Sequence, residues 1–200
     1  MDAGLAWGFL AACFFLLVSP GPGVLTTAGV GAGFGWTPGV RYVSGLCVGS
    51  NAVMLAVASG LAALVFAVPG LRQILLIASV GYLGYMALRI ALSGSQIAFV
   101  AAKREPGFVD GVLLQTINPK AYVVGTTLFS GFAIWPERFV AEVAIKLVLL
   151  NLVWIPIHLL WLHAGVTLHR LALAPQTQRL INFAMASALV AVVGIALFTT

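Results

Sequence analysis

Apolar runs of about twenty residues, each closed by Gly, Pro or charge, divide the chain into six stretches. The first runs from about Leu5 to Gly33 and is interrupted by Ser19-Pro20-Gly21-Pro22-Gly23. The second covers about Arg41 to Phe66, before Pro69-Gly70, and the third about Leu71 to Leu92. After the polar loop from Ser93 to Gly107, the fourth runs from about Phe108 to Phe132, interrupted at Asn118-Pro119-Lys120. The fifth spans about Phe139 to Leu162 and the sixth about Leu180 to Phe198, after a loop holding His169, Arg170 and Arg179. A bilayer core is crossed by about 20 helical residues. The pattern therefore predicts an all-α integral membrane protein of six transmembrane helices, with helices 1 and 4 broken, forming a single domain over 1–200.

The two halves echo each other. Pro20 and Pro119 stand 99 residues apart, as do Thr27 and Thr126, and Trp36 and Trp135. The shared order is apolar half-span, proline break, apolar half-span, Trp-Pro turn. Repeat 1 occupies about 1–93 and repeat 2 about 108–200, joined by the loop 93–107. Three spans per repeat is an odd number, so the second repeat must be inverted relative to the first. Inverted repeats with broken helices at matching positions are an architecture of secondary transporters.

Composition supports the same solvent. Of 200 residues, 62% are hydrophobic and 8% charged, against about 25% charged in a soluble domain. The net charge of +5 gathers into no basic run longer than Lys103-Arg104, so it reads as membrane anchoring and not as a nucleic-acid surface. Arg41, Arg89, Lys103, Arg104, Arg170 and Arg179 fall on one side of a six-span topology, Arg72 and Arg138 on the other. The richer side is expected to be cytoplasmic, which puts both termini outside. Leu10-Ala11-Ala12-Cys13 looks like a lipoprotein cleavage box, but no Lys or Arg precedes Arg41, so the first stretch reads as an uncleaved span. Cys13 and Cys47 lie in apolar surroundings and suggest neither a disulfide framework nor a metal site. No cofactor is implied.

The breaks carry the chemistry. Ser19-Pro20 and Asn118-Pro119 each read as an N-cap followed by a helix-starting proline. A helix that restarts within a span exposes unpaired amides and about half a unit of positive charge, a site for a carboxylate or phosphate. Breaking backbone hydrogen bonds in hydrocarbon is costly, so each break must face protein or a wet cavity. Gly21 and Gly23 let a ligand approach the backbone, and Lys120 adds a full positive charge where charges are expensive and usually functional. Ser19, Pro20, Gly21, Pro22, Gly23, Asn118, Pro119 and Lys120 are the expected substrate-binding residues.

Other polar groups fall within spans. Ser50 and Asn51 in helix 2, and Asn151 and His158 in helix 5, are candidates for pathway lining or ion coupling. Interhelical hydrogen bonding for the asparagines and a structural histidine are the alternatives. Asp110 is expected at an interface. Glu142 and Lys146 can pair at i, i+4. Gly45-x-x-x-Gly49 is expected to serve close helix packing inside the chain.

The Pro-Gly-Pro of Ser19-Pro20-Gly21-Pro22 and the Asn118-Pro119-Lys120-Ala121 segment, preceded by Gly111-Val112-Leu113-Leu114-Gln115-Thr116-Ile117, resemble the paired motifs of the lysine-exporter (LysE/RhtB-type) family of bacterial amino-acid exporters. Gly45, Gly49 and Gly60, and Gly81-Tyr82-Leu83-Gly84-Tyr85, fit the same pattern, which covers nearly the whole chain. The resemblance implies amino-acid efflux by proton-coupled antiport, an inner-membrane location, and allows a homodimer. The chain departs from the family at Gly23, where Asn is common after Pro-Gly-Pro, and at Ser50-Asn51, where an Asp is frequent. Without that carboxylate the expected substrate is a neutral or small amino acid. A passive channel or ion permease, or a non-transporting subunit, is the alternative. An enzyme is not expected, since neither His-Glu-x-x-His nor Gly-x-Ser-x-Gly occurs.

Overall fold

The computed structural model describes residues 1–18, 21–61 and 105–170 continuously, with individual residues between 74 and 88 and between 174 and 190. Six helices occupy the continuous segments: α1 (Ala3–Val18), α2 (Pro22–Phe34), α3 (Trp36–Ala58), α4 (Phe108–Ile117), α5 (Pro119–Gly131) and α6 (Phe139–Arg170). The expected third and sixth spans, the loop 93–107 apart from residues 105–107, and the pair Ser19-Pro20 lie outside the described residues, save for single helical positions such as Ile74, Ile77 and Leu88.

Local signals set the helix ends. Gly35 has φ 83 between α2 and α3, a left-handed conformation that suits glycine and turns the chain between two helices with almost no linker. Pro38 sits in the first turn of α3, where its missing N–H deprives no carbonyl. Helix α3 therefore begins before the expected Arg41. It ends at Ala58, before the expected Phe66, where Gly60 adopts φ 75. Asp110 accepts a hydrogen bond from the Gly107 N–H at 2.7 Å, closing the start of α4. Helix α6 runs past the expected Leu162 to Arg170, with Pro156 inside it.

Burial follows from the solvent. Helix α2 is enclosed from Pro22 to Ala32. By contrast α1 exposes Trp7 and Phe15, and α6 exposes Val148, Leu152 and Ile155 at helical spacing, all apolar. Helices that are apolar on both their packed and outward faces fit a lipid surround. Helices α3 and α6 are each long and apolar enough to cross a bilayer. Helices α1 and α2, bent by 54° across their break, make a third candidate when taken together.

Among the described helices, packing runs mostly between the halves of the chain, α2 against α6 and α3 against α4. Small residues let the backbones touch. A side chain at Gly45 would strike the Phe108 carbonyl oxygen, and one at Gly49 would lie 2.8 Å from Gln115 Cβ. One at Gly111 would meet the Tyr42 carbonyl. The Gly45–Gly49 spacing thus serves the α3–α4 crossing within the chain. Gly165 does the same for α6 against Ala28 of α2. Close backbone approach is how membrane helices gain packing without a hydrophobic drive.

Gly45→Leu should force α3 and α4 apart and cost about 3 kcal/mol or more. Gly131→Ala, which meets open space, should stay within about 0.5 kcal/mol. Thermal unfolding of the two purified variants in one detergent checks the contrast.

Candidate functional site

The second break follows the sequence reading. Asn118 is the N-cap of α5, its Oδ1 accepting from the Lys120 backbone N–H at 3.1 Å, and Pro119 opens the helix. Because the Lys120 N–H turns to Asn118, the Thr116 carbonyl four residues back loses its helical partner. The Tyr122 hydroxyl supplies one at 2.8 Å. The Asn118 amide donates to Gln115 Oε1 at 3.0 Å, and Gln115 Nε2 donates to Ser50 Oγ at 2.5 Å. A hydrogen-bonded line thus joins α5, α4 and α3 through the break.

The first break differs in register from the expectation. Helix α2 starts at Pro22 with Gly21 as its extended N-cap, not at Pro20 after Ser19, both of which lie outside the described residues. Pro22 is the second proline of the motif, and it suits the first helical position because it carries no N–H. Gly21 has no side chain to cap the first turn, so the Gly23 and Val24 amides receive no side-chain cap from it. The Thr26 and Thr27 hydroxyls turn inward to the Pro22 and Gly23 carbonyls at 2.7 Å each. The Tyr42 hydroxyl donates to Thr26 Oγ1 at 3.0 Å, tying this turn to α3.

The breaks meet through Lys120. Its side chain lies so close to Gly21 that a Cβ there would be 2.8 Å from Lys120 Cδ and 3.1 Å from Nζ. The ammonium of the second break is thereby carried to the uncapped start of α2. A Cβ at Gly23 would stand 3.4 Å from His158 Nε2 and 3.7 Å from Gln115 Oε1. His158 Nδ1 lies 2.9 Å from the Trp154 carbonyl, which can only accept, so Nδ1 donates. In the neutral ring Nε2 is then the acceptor, facing Gly23. The imidazole stacks on the Trp154 indole, with centroids 3.5 Å apart and planes 14° apart.

These groups line one cavity, together with Leu17, Met54, Ala121, Val124 and Leu150. Its free volume is about 40 Å³, room for water but not for an amino acid. One end of its wall is cationic and hydrogen-bonding, the rest apolar. That division suits a small anionic or zwitterionic molecule with an apolar portion.

Of the expected residues, Gly21, Gly23, Ser50, Asn118, Lys120 and His158 converge here, with Pro22 and Pro119 opening the two helices. Asn51 and Asn151 pair with each other instead. Asn51 Nδ2 donates to Asn151 Oδ1 at 3.1 Å and Asn151 Nδ2 to Asn51 Oδ1 at 2.7 Å, clamping α3 to α6. Their interhelical role accounts for their placement, and neither lines the cavity. Gln115 and Trp154 also line the cavity, and the sequence pattern does not single them out. Gln115 carries a signal, an amide one helical turn before Asn118 in an otherwise apolar run. Trp154 has only its i, i+4 relation to His158.

A bundle of largely apolar helices, broken at a buried polar cavity, defines a multi-pass helical membrane protein. The family model described as LysE type translocator matches residues 14–200. The chain belongs to that family. It is also 27% identical over 137 residues to a leucine efflux protein of Enterobacter sp. (strain 638), the match covering 63% of this chain and 62% of that relative. No solved structure matches the chain.

Asn118→Ala removes the α5 cap and the donor to Gln115, and should cost about 1–2 kcal/mol. A lowered unfolding temperature of the purified variant, beside an unchanged helical circular dichroism signal at 20 °C, is the expected reading.

Proposed function

We propose that this protein is a secondary transporter of the bacterial inner membrane that exports a neutral amino acid with an aliphatic side chain, by antiport with protons. The observation that carries the proposal is the Lys120 ammonium lying against Gly21 at the uncapped start of α2. A carboxylate there meets a full charge, the Gly23 and Val24 amides and the positive end of a helix together. One half-helix start, not two, receives the carboxylate, because the Lys120 amide at the other is already held by Asn118. The substrate ammonium would be received by His158 Nε2 and Gln115 Oε1, which face Gly23. Leu17, Met54, Val124 and Leu150 offer an apolar wall to the side chain. Burying a Leu-sized group contributes about 1.5–3 kcal/mol. Membership of a translocator family and the likeness to a leucine efflux protein support the same substrate class.

Because the cavity is too small for the substrate, the proposal requires opening. Rocking of two inverted three-helix repeats would provide it. The reciprocal Asn51–Asn151 pair supports such a relation. A two-fold axis makes residue i meet j as j meets i, and the 100-residue separation of the pair is close to the 99 between Pro20 and Pro119. The charge bias of the loops assigns both termini to the outside.

The test is efflux of a panel of labelled amino acids from proteoliposomes, with and without an imposed pH gradient. Leucine-type substrates should leave faster when the gradient is applied. No efflux of any amino acid refutes the exporter, and gradient-independent leakage points to a channel. Lys120→Ala, losing charge-assisted hydrogen bonds of about 1.5–3 kcal/mol, should lower efflux at subsaturating substrate about 10- to 100-fold. The variant should remain monodisperse, and wild-type efflux from it refutes the assigned role.

A further inference from the structure

A second cavity, of about 280 Å³, opens between the C-terminal ends of α3 and α5 and the first turns of α6. Of the five Asp and Glu side chains, Glu142 is the buried one, and it lines this cavity beside the buried Lys146. Lys146 Nζ lies 2.6 Å from Glu142 Oε1 and donates to the Phe129 carbonyl at the end of α5 at 2.9 Å. Glu142 Oε2 accepts from the Trp135 N–H at 2.9 Å. An i, i+4 pair on a helix surface needs no such enclosure. Here opposite charges are held fixed at the wall of a space close to the lower size of small-molecule sites.

The two cavities share their walls. Helix α3 gives Ser50 and Met54 to the first and Val57 to the second. Helix α5 gives Lys120 to the first and Phe129 to the second, about 14 Å apart at 1.5 Å per residue. Helix α6 gives Trp154 to the first and Lys146 to the second, about 12 Å apart by the same rise. Leu128, fully buried one turn beyond Val124 on the same face of α5, stands between the two levels.

We propose that the second cavity is a further binding station for the amino-acid zwitterion, in which the substrate carboxylate pairs with Lys146 and its ammonium with Glu142. Insertion exchanges one internal ion pair for two ion pairs to the ligand and leaves the net charge of the site unchanged. Two of the three Lys146 N–H donors are engaged by Glu142 and Phe129, while the Glu142 carboxylate accepts from Lys146 and from the Trp135 and Ile134 N–H groups. The third Lys146 donor and the remaining Glu142 lone pair can therefore meet a ligand before the pair is displaced. Both charges are required, so the station selects zwitterions over simple acids or amines. This station rests on the exporter reading and lies on the side that the loop charges assign to the exterior, which makes it the exit end of the route.

Equilibrium binding of labelled leucine to the full chain in lipid nanodiscs tests it, alongside efflux from proteoliposomes. Wild type should bind two equivalents, and Lys120→Ala should keep the one at the second station. The double variant Glu142→Gln/Lys146→Met, chosen so that no charge is left buried alone, should keep the one at the first station and export at least tenfold more slowly. Ala133→Trp, which fills the cavity with the ion pair in place, should do the same. At the second station, assayed in Lys120→Ala, neither 4-methylpentanoate nor 3-methylbutylamine should displace leucine. A single equivalent in wild type, or undiminished binding and efflux in both the double variant and Ala133→Trp, overturns the station while leaving the exporter intact. Displacement by either singly charged analogue overturns it too. Wild type that neither binds nor exports any amino acid removes both readings.

Discussion

A helix interrupted within hydrocarbon leaves backbone groups that lipid cannot satisfy, and the described structure is organised around meeting that demand. At α5 the debt is met locally, by the Asn118 side chain for the Lys120 amide and by the Tyr122 hydroxyl for the Thr116 carbonyl. At α2 it is met by enclosure. The helix is buried from Pro22 to Ala32, and its first turn faces Lys120, His158 and Gln115. The break that lacks a side-chain cap is the one surrounded by polar groups from three other helices.

Enclosing α2 requires neighbours that come very close. Gly165 brings α6 onto the Ala28 carbonyl, and Gly45, Gly49 and Gly111 bring α4 onto α3. These contacts set the depth at which Gln115, on α4, reaches Ser50, on α3. The glycines and the polar line are therefore one device: the first allows the backbone spacing, and the second exploits it. The Asn51–Asn151 pair holds α3 and α6 at their own crossing. The buried Glu142–Lys146 pair fixes the end of α5 to the start of α6.

A small first cavity, polar at one end, and a wider second one share helices α3, α5 and α6. The first is built on helix starts, where backbone dipoles favour a carboxylate. The second is built on two opposite side-chain charges held as a buried pair. Leu128, fully buried on α5, lies along that helix between the two cavities.

Much of this was legible in the residues alone. Low charge, apolar run lengths and proline at intervals determine that the chain is helical and membrane-embedded, because those properties follow from local preference and from the choice of solvent. The break at Asn118-Pro119 could be read the same way, since capping is local chemistry. What depended on tertiary structure was partnership. Gly21, not Ser19, caps α2, Lys120 reaches across to it, and Asn51 finds Asn151 instead of the cavity. Glu142 and Lys146, a routine pair on the helix in sequence, become the buried wall of a second cavity. None of these could be read from spacing, because each is set by where a distant helix places its backbone, and sequence periodicity carries no information about that.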